Sequence, residues 1–292
     1  MRKDQISIQL YTIRSITAND WDTALGQVTE AGYQAVEFAG FHGKTAAEIR
    51  GLLDKHGLRS SSAHVPLADF QTRLDGVVDD LQTIGAEWGI VPWVAPDDRS
   101  EESLKGIAAQ FDGFAARLKE AGLKFGYHNH DFEFTTTSAD GKTVFDQMIE
   151  ITTPDLVHFE LDAFWAAVGG YDPAKLIAAN ADRIALVHLK DGNMNDLTSG
   201  KDVPFGEGTL DWDGILAASR AAGVEWYVTE QDTPNPDDIQ GDITTALRNA
   251  EKMALSGWRS ERALAAERAS VLHGCGSDVC SAPTSCQLPD GT

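Results

Sequence analysis

The chain has 292 residues, of which 42% are hydrophobic and 24% are charged, and its formal net charge at pH 7 is −21. This composition is typical of globular proteins, and no apolar run approaches the roughly 18 residues needed to span a bilayer. The acidic excess opposes binding to nucleic acids, because no local basic patch offsets the long-range repulsion. We therefore predict no nucleic-acid partner and no membrane partner.

The two ends of the chain carry further signals. The N-terminus turns polar before a signal-peptide hydrophobic stretch could form, so we expect a cytoplasmic protein. The composition of residues 257–292 favours a helical or disordered tail. All three cysteines lie in that tail, so the body has neither a disulfide framework nor a thiol nucleophile. They are Cys275, Cys280 and Cys286.

Eight strands are predicted, starting with residues 6–12. A short pattern recurs along the chain: a helical segment ends at a glycine, a hydrophobic strand follows, and a residue suited to metal binding or acid–base chemistry stands where the strand stops. The strands after the first are predicted over residues 33–40, 58–65, 86–94, 123–130, 155–165, 183–191 and 224–232.

Helical segments separate these strands and carry end signals. Asn19 or Asp20 is a suitable N-cap for the first helix, Gly57 closes the second, and Ser100 opens the fourth. The loop over residues 192–212 is long and polar and ends in a Pro-Phe-Gly-Glu-Gly turn, which indicates a structured, functional segment. The helices are predicted over residues 19–31, 45–57, 69–85, 100–122, 143–152, 172–182, 212–223 and 239–255.

Strict alternation of strands and helices indicates a parallel sheet, since each return crossing needs a helix. An open doubly wound sheet would show a glycine-rich phosphate turn after the first strand, and residues 11–20 lack one. We therefore predict the α/β class, with a single (β/α)8 TIM barrel as the catalytic domain over residues 1–256 and a C-terminal extension. In such a barrel the C-terminal ends of all strands meet at one mouth.

Polar residues at the predicted strand ends form the candidate site. Carboxylates mixed with imidazoles suit Mn²⁺, Zn²⁺, Co²⁺ or Fe²⁺, and no thiolate competes. Alternation along the strand points His128 and His130 the same way, and His188 and Lys190 likewise share a face. The strand-end residues are Glu37, His64, His128, His130, Asp162, His188, Lys190 and Glu230, with Glu133 just beyond the fifth strand.

Some of these residues also have structural interpretations, and Glu37 taken alone could be a surface acid displaced into a loop. His64 and His128, taken singly, are more often hydrogen-bonded structural histidines than ligands. Asp162 lies in a strand expected to be buried on both faces, so its carboxylate needs a partner. Lys190 beside a cation should have a lowered pKa and act as an acid or electrostatic stabiliser; otherwise it forms a rim salt bridge with Asp191.

Over residues 5–255 the chain resembles the xylose isomerase-like barrel superfamily of sugar phosphate isomerases and epimerases. That superfamily also contains inosose dehydratases, hydroxypyruvate isomerase, tagatose and psicose epimerases, and the endonuclease IV fold. Taken together the motifs are specific for the superfamily and weak for substrate. They are YHNHDFEF at 127–134, FELDAFW at 159–165, VHLKD at 187–191, PFGEG at 204–208 and VTEQD at 228–232.

The resemblance implies one divalent metal ion, with manganese preferred and zinc, cobalt, magnesium or iron as alternatives. Relatives hold it with a Glu after strand five, an Asp after strand six, a His after strand seven and a Glu after strand eight. The last three correspond to Asp162, His188 and Glu230. At the first position this chain has His128, and the nearest acid is Glu133. Either Glu133 reaches back to complete the site or His128 takes the position itself, and we expect Glu133 to be the ligand.

The chemistry implied is removal of a proton next to a carbonyl of a small sugar, keto-sugar or polyol-derived ketone, through a metal-stabilised enediolate. Returning the proton gives isomerisation or epimerisation, and expelling a leaving group gives elimination; both share the first step. We expect an isomerase or epimerase, with a lyase of the inosose dehydratase or 3-keto-glycoside type as the alternative.

The remaining expectations concern the substrate, the partners and the roles of single residues. We expect an unphosphorylated carbohydrate substrate and allow for a homo-oligomer. A nuclease is disfavoured by the charge, and a non-catalytic sugar-binding barrel by the nearly complete ligand set. The catalytic candidates are Glu37, His128, His130 and Lys190, and the substrate-binding candidates are His64, Trp93 and Trp165.

Overall fold

Ten strands are present in the computed structural model, which describes residues 1–196 and 201–255. The predicted tail over residues 257–292 lies outside the described residues. The strands are β1 (Ile6–Gln9), β2 (Ala35–Phe38), β3 (Arg59–His64), β4 (Trp88–Val91), β5 (Lys124–His128), β6 (Val157–Asp162), β7 (Ile184–Leu189), β8 (Asp191–Gly192), β9 (Asp202–Val203) and β10 (Trp226–Thr229).

Eight of these strands close into a parallel barrel in the order β1-β10-β7-β6-β5-β4-β3-β2, which confirms the predicted fold class. The two short strands β8 and β9 pair antiparallel in a separate hairpin between β7 and β10. This hairpin accounts for part of the long polar loop that the sequence predicts. Within that loop, residues 197–200 lie outside the described part of the chain.

Helices follow the barrel strands, as each parallel crossing requires. None of the described helices is both long and apolar enough to cross a membrane. The helices are α1 (Arg14–Thr17), α2 (Trp21–Ala31), α3 (Ala46–His56), α4 (Leu67–Ile84), α5 (Glu101–Glu120), α6 (Phe132–Thr135), α7 (Val144–Ile151), α8 (Ala163–Val168), α9 (Pro173–Ala179), α10 (Trp212–Ala222) and α11 (239–255).

The element ends follow local signals in the sequence. Asp20 caps α2, because its carboxylate accepts two backbone N–H groups of the first turn. Gly57 ends α3 with φ of 66°, a left-handed conformation that glycine adopts without a steric penalty. Strand β1 is shorter than predicted, because Leu10–Ile13 wind into a 3₁₀ turn in which the Gln9 side chain accepts the N–H of Tyr11.

The interior of the barrel is apolar at one end and polar at the other. An apolar cluster fills the end where the strands begin, and its members are Ala35, Trp88, Ile90, Ala185, Leu186, Trp226 and Val228. Because side chains alternate along a strand, Leu186 shares its face with His188, and Val228 shares its face with Glu230. The apolar cluster therefore lies beneath the polar residues at the strand ends.

Candidate active site

Strand register brings the predicted residues to one end of the barrel. His128 on β5 pairs with Glu160 on β6, and Asp162 at the end of β6 pairs with His188 on β7. Glu230 follows β10 directly. All five residues are buried, as expected for side chains at the mouth of a barrel whose helices and loops surround it.

Four of the side chains form what we call the ligand cluster: His128, Asp162, His188 and Glu230, whose potential ligand atoms all lie within 4.8 Å of one another. The Oδ2 atom of Asp162 is 3.9 Å from His188 Nδ1 and 4.0 Å from His128 Nε2. It is buried and has no hydrogen-bond partner in the described part of the chain, although the Lys190 ammonium group lies 3.2 Å away. A buried carboxylate oxygen of this kind is stabilised by a nearby cation. Two carboxylates and two imidazoles fit a divalent metal ion of the zinc or manganese type.

Lys190 is buried beside the ligand cluster. Its Nζ lies 2.8 Å from Glu230 Oε2, 2.9 Å from Asp232 Oδ2 and 3.2 Å from Asp162 Oδ2. The last contact is an ion pair without the alignment of a hydrogen bond. Burial alone would lower the pKa of Lys190, but the three carboxylates outweigh burial and hold that pKa well above its ordinary value. Lys190 is therefore an ammonium ion, and the lowered pKa expected of it beside a bound cation stays a prediction.

The rim salt bridge between Lys190 and Asp191 is not formed either. The carboxylate of Asp191 instead accepts the backbone N–H groups of Gly192 at 2.8 Å, Gly206 at 3.0 Å and Gly208 at 3.1 Å. It therefore holds the PFGEG turn against the β8–β9 hairpin. The PFGEG motif therefore has a structural role next to the site, because two of its backbone N–H groups are hydrogen-bonded to Asp191.

His130 forms one wall of the site. Burial and the nearby Lys190 charge lower the pKa of His130 to about 3, so its imidazole is neutral at pH 7. The Nδ1 atom is buried and has no hydrogen-bond partner among the described residues, and the ring stacks on Phe132 with centroids 5.2 Å apart. A neutral imidazole with an unpaired nitrogen has the form required of a proton acceptor.

Glu133 lies outside the ligand cluster. Its carboxylate accepts the hydroxyl hydrogen of Tyr127 and, at 2.7 Å, the backbone N–H of His130. Burial raises the pKa of Glu133 to about 7. Neither group of potential ligand atoms among the described residues includes it. The geometry favours His128 over Glu133 for the position after strand five, in contrast to the expectation from the sequence.

Glu37 lies beneath the ligand cluster and does not line the pocket described below. It accepts hydrogen bonds from Gln9 Nε2 at 2.7 Å and from the hydroxyl of Ser62, and His188 Nε2 lies 2.9 Å from its Oε1 atom. Burial and the charge of Glu160 raise the pKa of Glu37. The residue predicted to act in catalysis thus contacts His188 from the side away from the pocket.

The histidines differ in their electrostatics. Burial alone would lower the pKa of His188, but Glu160 and Glu37 hold it well above its ordinary value. The pKa of His128 is lowered well below its ordinary value by burial and by the charge of His188. His128 is therefore neutral at pH 7, which is the form in which an imidazole binds a metal ion.

A pocket of about 620 Å³ opens above these residues, which is within the range of small-molecule sites. Tyr11 and Trp93, exposed by 42% and 48%, stand at its rim with Phe132. Arg14 also lines the pocket, with its guanidinium 4.0 Å from the centre of the Tyr11 ring. The wall thus combines aromatic faces with a cation, and the floor carries the acids and imidazoles.

The three predicted substrate-binding residues are placed differently. His64 and Trp93 line the pocket. Trp165 does not; its ring lies behind His130, with centroids 6.2 Å apart, and 5.4 Å from Lys190 Nζ. Its backbone N–H donates to Asp162 Oδ1 at 2.9 Å, which fixes the start of α8. Trp165 therefore supports the site from the second layer of side chains.

The described architecture agrees with a known family. The family described as xylose isomerase-like TIM barrel matches residues 25–251 of the chain. The chain belongs to this family. This confirms the resemblance inferred from the sequence motifs.

The chain is also similar in sequence to single proteins whose activity is named. An inosose dehydratase of Geobacillus kaustophilus (strain HTA426) is 30% identical over 193 residues, which are 58% of this chain and 61% of that protein. The match therefore spans less than two thirds of the relative.

Solved structures with the same fold include a sugar phosphate isomerase/epimerase from Parabacteroides distasonis ATCC 8503. Its TM-score is 0.72 at 21% identity, covering 85% of this chain and 93% of that one. The IolI protein with a bound zinc atom has a TM-score of 0.66 at 16% identity, covering 86% of this chain and 98% of that one. At 21% and 16% sequence identity, this structural similarity shows that the fold is shared and nothing more.

Two acids of this family site were missed by the sequence analysis. Glu160 lies two residues before Asp162, and Asp232 lies two residues after Glu230. Alternation along a strand puts residues two apart on one face, so Glu160 follows from the predicted ligand Asp162. Asp232 lies beyond the end of β10, so its position depends on the loop that follows that strand.

Proposed function

We propose that this chain is a divalent-metal-dependent enzyme that removes the proton next to the carbonyl of a keto-sugar or keto-polyol. The observation that supports this most strongly is the ligand cluster, in which the Oδ2 atom of Asp162 has no hydrogen-bond partner among the described residues and of which His128 and Glu230 line a pocket of about 620 Å³. A divalent ion held by the cluster would act as a Lewis acid toward the carbonyl and the neighbouring hydroxyl oxygen.

The ligands in this proposal are His128, Asp162, His188 and Glu230. The zinc atom bound to the IolI protein, which has the same fold, supports a divalent ion at such a site. Manganese remains the first choice for this chain. Reconstitution with manganese, zinc, cobalt, magnesium and iron, one at a time, tests that choice.

Proton transfer is assigned to the residues that face the pocket. His130 accepts the proton from carbon, because its side chain lines the pocket and its imidazole is neutral. Lys190 stabilises negative charge on the substrate oxygens, because its ammonium group is buried at the same wall. Glu37 is not given a direct role, since it lies beneath His188.

Elimination of water is the first candidate for the step that follows. The inosose dehydratase at 30% identity supports this outcome, since its name describes a lyase. Isomerisation or epimerisation, the outcome expected from the sequence, is the second candidate. It is supported by the presence of several groups that could return the proton, because His64 and His130 both line the pocket.

A product and exchange experiment distinguishes these outcomes. The metal-reconstituted protein is incubated in D₂O with an inosose and with a panel of keto-hexoses, and products are identified by mass spectrometry and NMR. Loss of one water with an enone absorbance indicates a dehydratase, and a product that keeps all its oxygens and gains one deuterium at a carbon of the reacting pair indicates an isomerase or epimerase. Absence of both with all five metals would refute the proposed function.

Replacement of Lys190 by Gln should lower kcat by about 10²-fold, since a positioned group that stabilises developing charge contributes on that scale. Removing the ammonium also leaves three acids close together, so the melting temperature should change. Steady-state kinetics at saturating metal provide the measurement, and circular dichroism confirms folding. An unchanged kcat in a folded variant would remove Lys190 from the mechanism.

Replacement of Trp93 by Ala should raise KM by roughly 3- to 10-fold and leave kcat nearly unchanged, because an aromatic face contributes about 0.5–1.5 kcal/mol to stacking. The side chain is 48% exposed, so folding should be little affected. Tyr171, exposed by 37% and outside the pocket, provides a matched control as Tyr171→Ala. Equal KM values for the two variants would contradict a role for Trp93 in substrate binding.

A further inference from the structure

Glu160 is fully buried and lies outside both the ligand cluster and the pocket wall. Three imidazole nitrogens surround its Oε2 atom: His64 Nε2 at 2.6 Å, His188 Nε2 at 3.0 Å and His128 Nδ1 at 3.1 Å. An ionised carboxylate only accepts hydrogen bonds. His64 Nε2 and His128 Nδ1 therefore each carry a hydrogen that points at this oxygen, whereas His188 Nε2 is hydrogen-bonded to Glu37 Oε1 at 2.9 Å.

Potential ligand atoms of Glu160 and of the three histidines also lie within 4.8 Å of one another, as they would around a second metal ion. The lengths of their contacts favour hydrogen bonding instead. Ligand atoms bound at about 2.1 Å to a tetrahedral ion stand about 3.4 Å apart. The contact of 2.6 Å between His64 and Glu160 is shorter than that and has the length of a charge-assisted hydrogen bond. Two nitrogens donate to one oxygen of Glu160. In the ligand cluster, by contrast, His188 Nδ1 and His128 Nε2 stand 3.9 and 4.0 Å from Asp162 Oδ2, although His188 Nδ1 is also hydrogen-bonded to Glu230 Oε2 at 2.9 Å.

The strand geometry explains how Glu160 reaches this position. Its register partner across the β5–β6 pair is His128. The β6–β7 pair shifts register between Phe159 and Glu160, and after the shift Glu160 pairs with Leu186. By alternation, Leu186 and His188 share a face. Glu160 therefore lies between the two histidines of the ligand cluster, on the side away from Asp162 and Glu230.

We propose that Glu160 is a positioning residue that fixes the ring tautomer of His128. With the hydrogen on Nδ1, the lone pair of His128 Nε2 is directed into the ligand cluster, 4.0 Å from Asp162 Oδ2. His188 is held differently, because its Nδ1 is hydrogen-bonded to Glu230 Oε2 at 2.9 Å. A carboxylate behind a metal-binding imidazole selects its tautomer and raises its basicity. The inference rests on the proposed function, in which these histidines hold the ion.

The two histidines depend on Glu160 to different degrees. His188 Nε2 also lies 2.9 Å from Glu37 Oε1, so a second carboxylate can hold its hydrogen. His128 Nδ1 has Glu160 as its hydrogen-bond partner within the described chain. Loss of the Glu160 charge should therefore release the tautomer of His128 more than that of His188. This difference provides an internal control.

The test compares Glu160→Gln with Glu37→Gln in the full chain. Long-range ¹H–¹⁵N NMR of histidine-labelled, metal-free protein reports the tautomers, and competition with a chelator reports Zn²⁺ affinity. We expect Glu160→Gln to add the Nε2–H tautomer at His128 and to weaken Zn²⁺ binding about 10- to 100-fold. Glu37→Gln should leave the His128 tautomer unchanged.

The outcomes separate this inference from the proposed function. If the wild-type chain binds no divalent metal, the proposed function fails, while the tautomer measurement on metal-free protein still tests Glu160. Retention of the Nδ1–H tautomer of His128 and unchanged Zn²⁺ affinity in Glu160→Gln would overturn the inference. Binding of two Zn²⁺ per wild-type chain, reduced to one in Glu160→Gln, would also overturn it, since the histidines would then surround a second ion. Should Glu160→Gln fail to fold, Glu160→Asp retains the charge and withdraws the oxygen, and the same tautomer shift is expected.

Discussion

Replacement of Asp162 by Asn is expected to remove the bound metal and to lower kcat/KM by about 10³-fold or more, since Lewis-acid stabilisation by a metal contributes several kcal/mol. The substitution should affect metal binding without disturbing the start of α8. Asp162 Oδ1 accepts the N–H of Trp165 at the start of α8, and Asn caps helices about as well as Asp. The oxygen that faces the ligand cluster becomes an amide group, which brings no charge to a cation.

The control for this variant is Asp172→Asn. Asp172 caps α9 in the same way, with its carboxylate accepting the N–H of Lys175 at 3.2 Å, and it lies outside the pocket and the ligand cluster. Metal content by atomic emission, kcat/KM and thermal melting are measured for both. Full metal occupancy in Asp162→Asn would contradict the proposed site, and equal loss in Asp172→Asn would assign the effect to helix capping.

Replacement of His128 by Gln is expected to weaken metal binding strongly and to lower kcat/KM by about 10³-fold, whereas Glu133→Gln should keep its metal. His128 Nε2 faces Asp162 Oδ2, and Glu133 is hydrogen-bonded to Tyr127 and to the backbone of His130. Loss of one ligand of four removes a substantial part of the binding free energy. Metal content after dialysis against a weak chelator measures the difference.

The two variants therefore decide between the two residues that the YHNHDFEF motif offers. The Glu133→Gln variant should lose stability, because its amide is a poorer acceptor for the hydroxyl of Tyr127 and the N–H of His130. If Glu133→Gln loses the metal and His128→Gln retains it, the assignment from the sequence was right and the one from the geometry is wrong.

Much of the site follows from strand ends and alternation. Asp162, His188 and Glu230 each stand at the end of a hydrophobic strand, and a closed barrel brings such ends together whatever their distance along the chain. The need of Asp162 for a buried partner was also predictable, and the partner is Lys190 at 3.2 Å. The roles of single residues were less predictable, because they depend on which neighbours lie within hydrogen-bond distance.

Lys190 and Glu37 illustrate this dependence. The sequence places Lys190 next to Asp191, yet the side chain contacts Asp232, which is 42 positions away along the chain. Three acids surround its ammonium group, so the direction of its pKa shift is opposite to the one that burial alone would cause. Glu37 stands at a strand end like the ligands, but hydrogen bonds to Gln9 and Ser62 hold it below the pocket.

The amino-acid order alone was enough to predict the eight-stranded barrel, the mouth at which its chemistry lies and most of the acids and imidazoles there. These features depend on local periodicity, helix-end signals and the parity of residues along each strand, which neighbouring residues specify. Which nitrogen of each histidine faces the ligand cluster, and the burial of Glu160 among three imidazoles, required the folded coordinates. Those features depend on the register between strands, because a shift such as the one between Phe159 and Glu160 redirects a side chain that is distant in sequence from its partners.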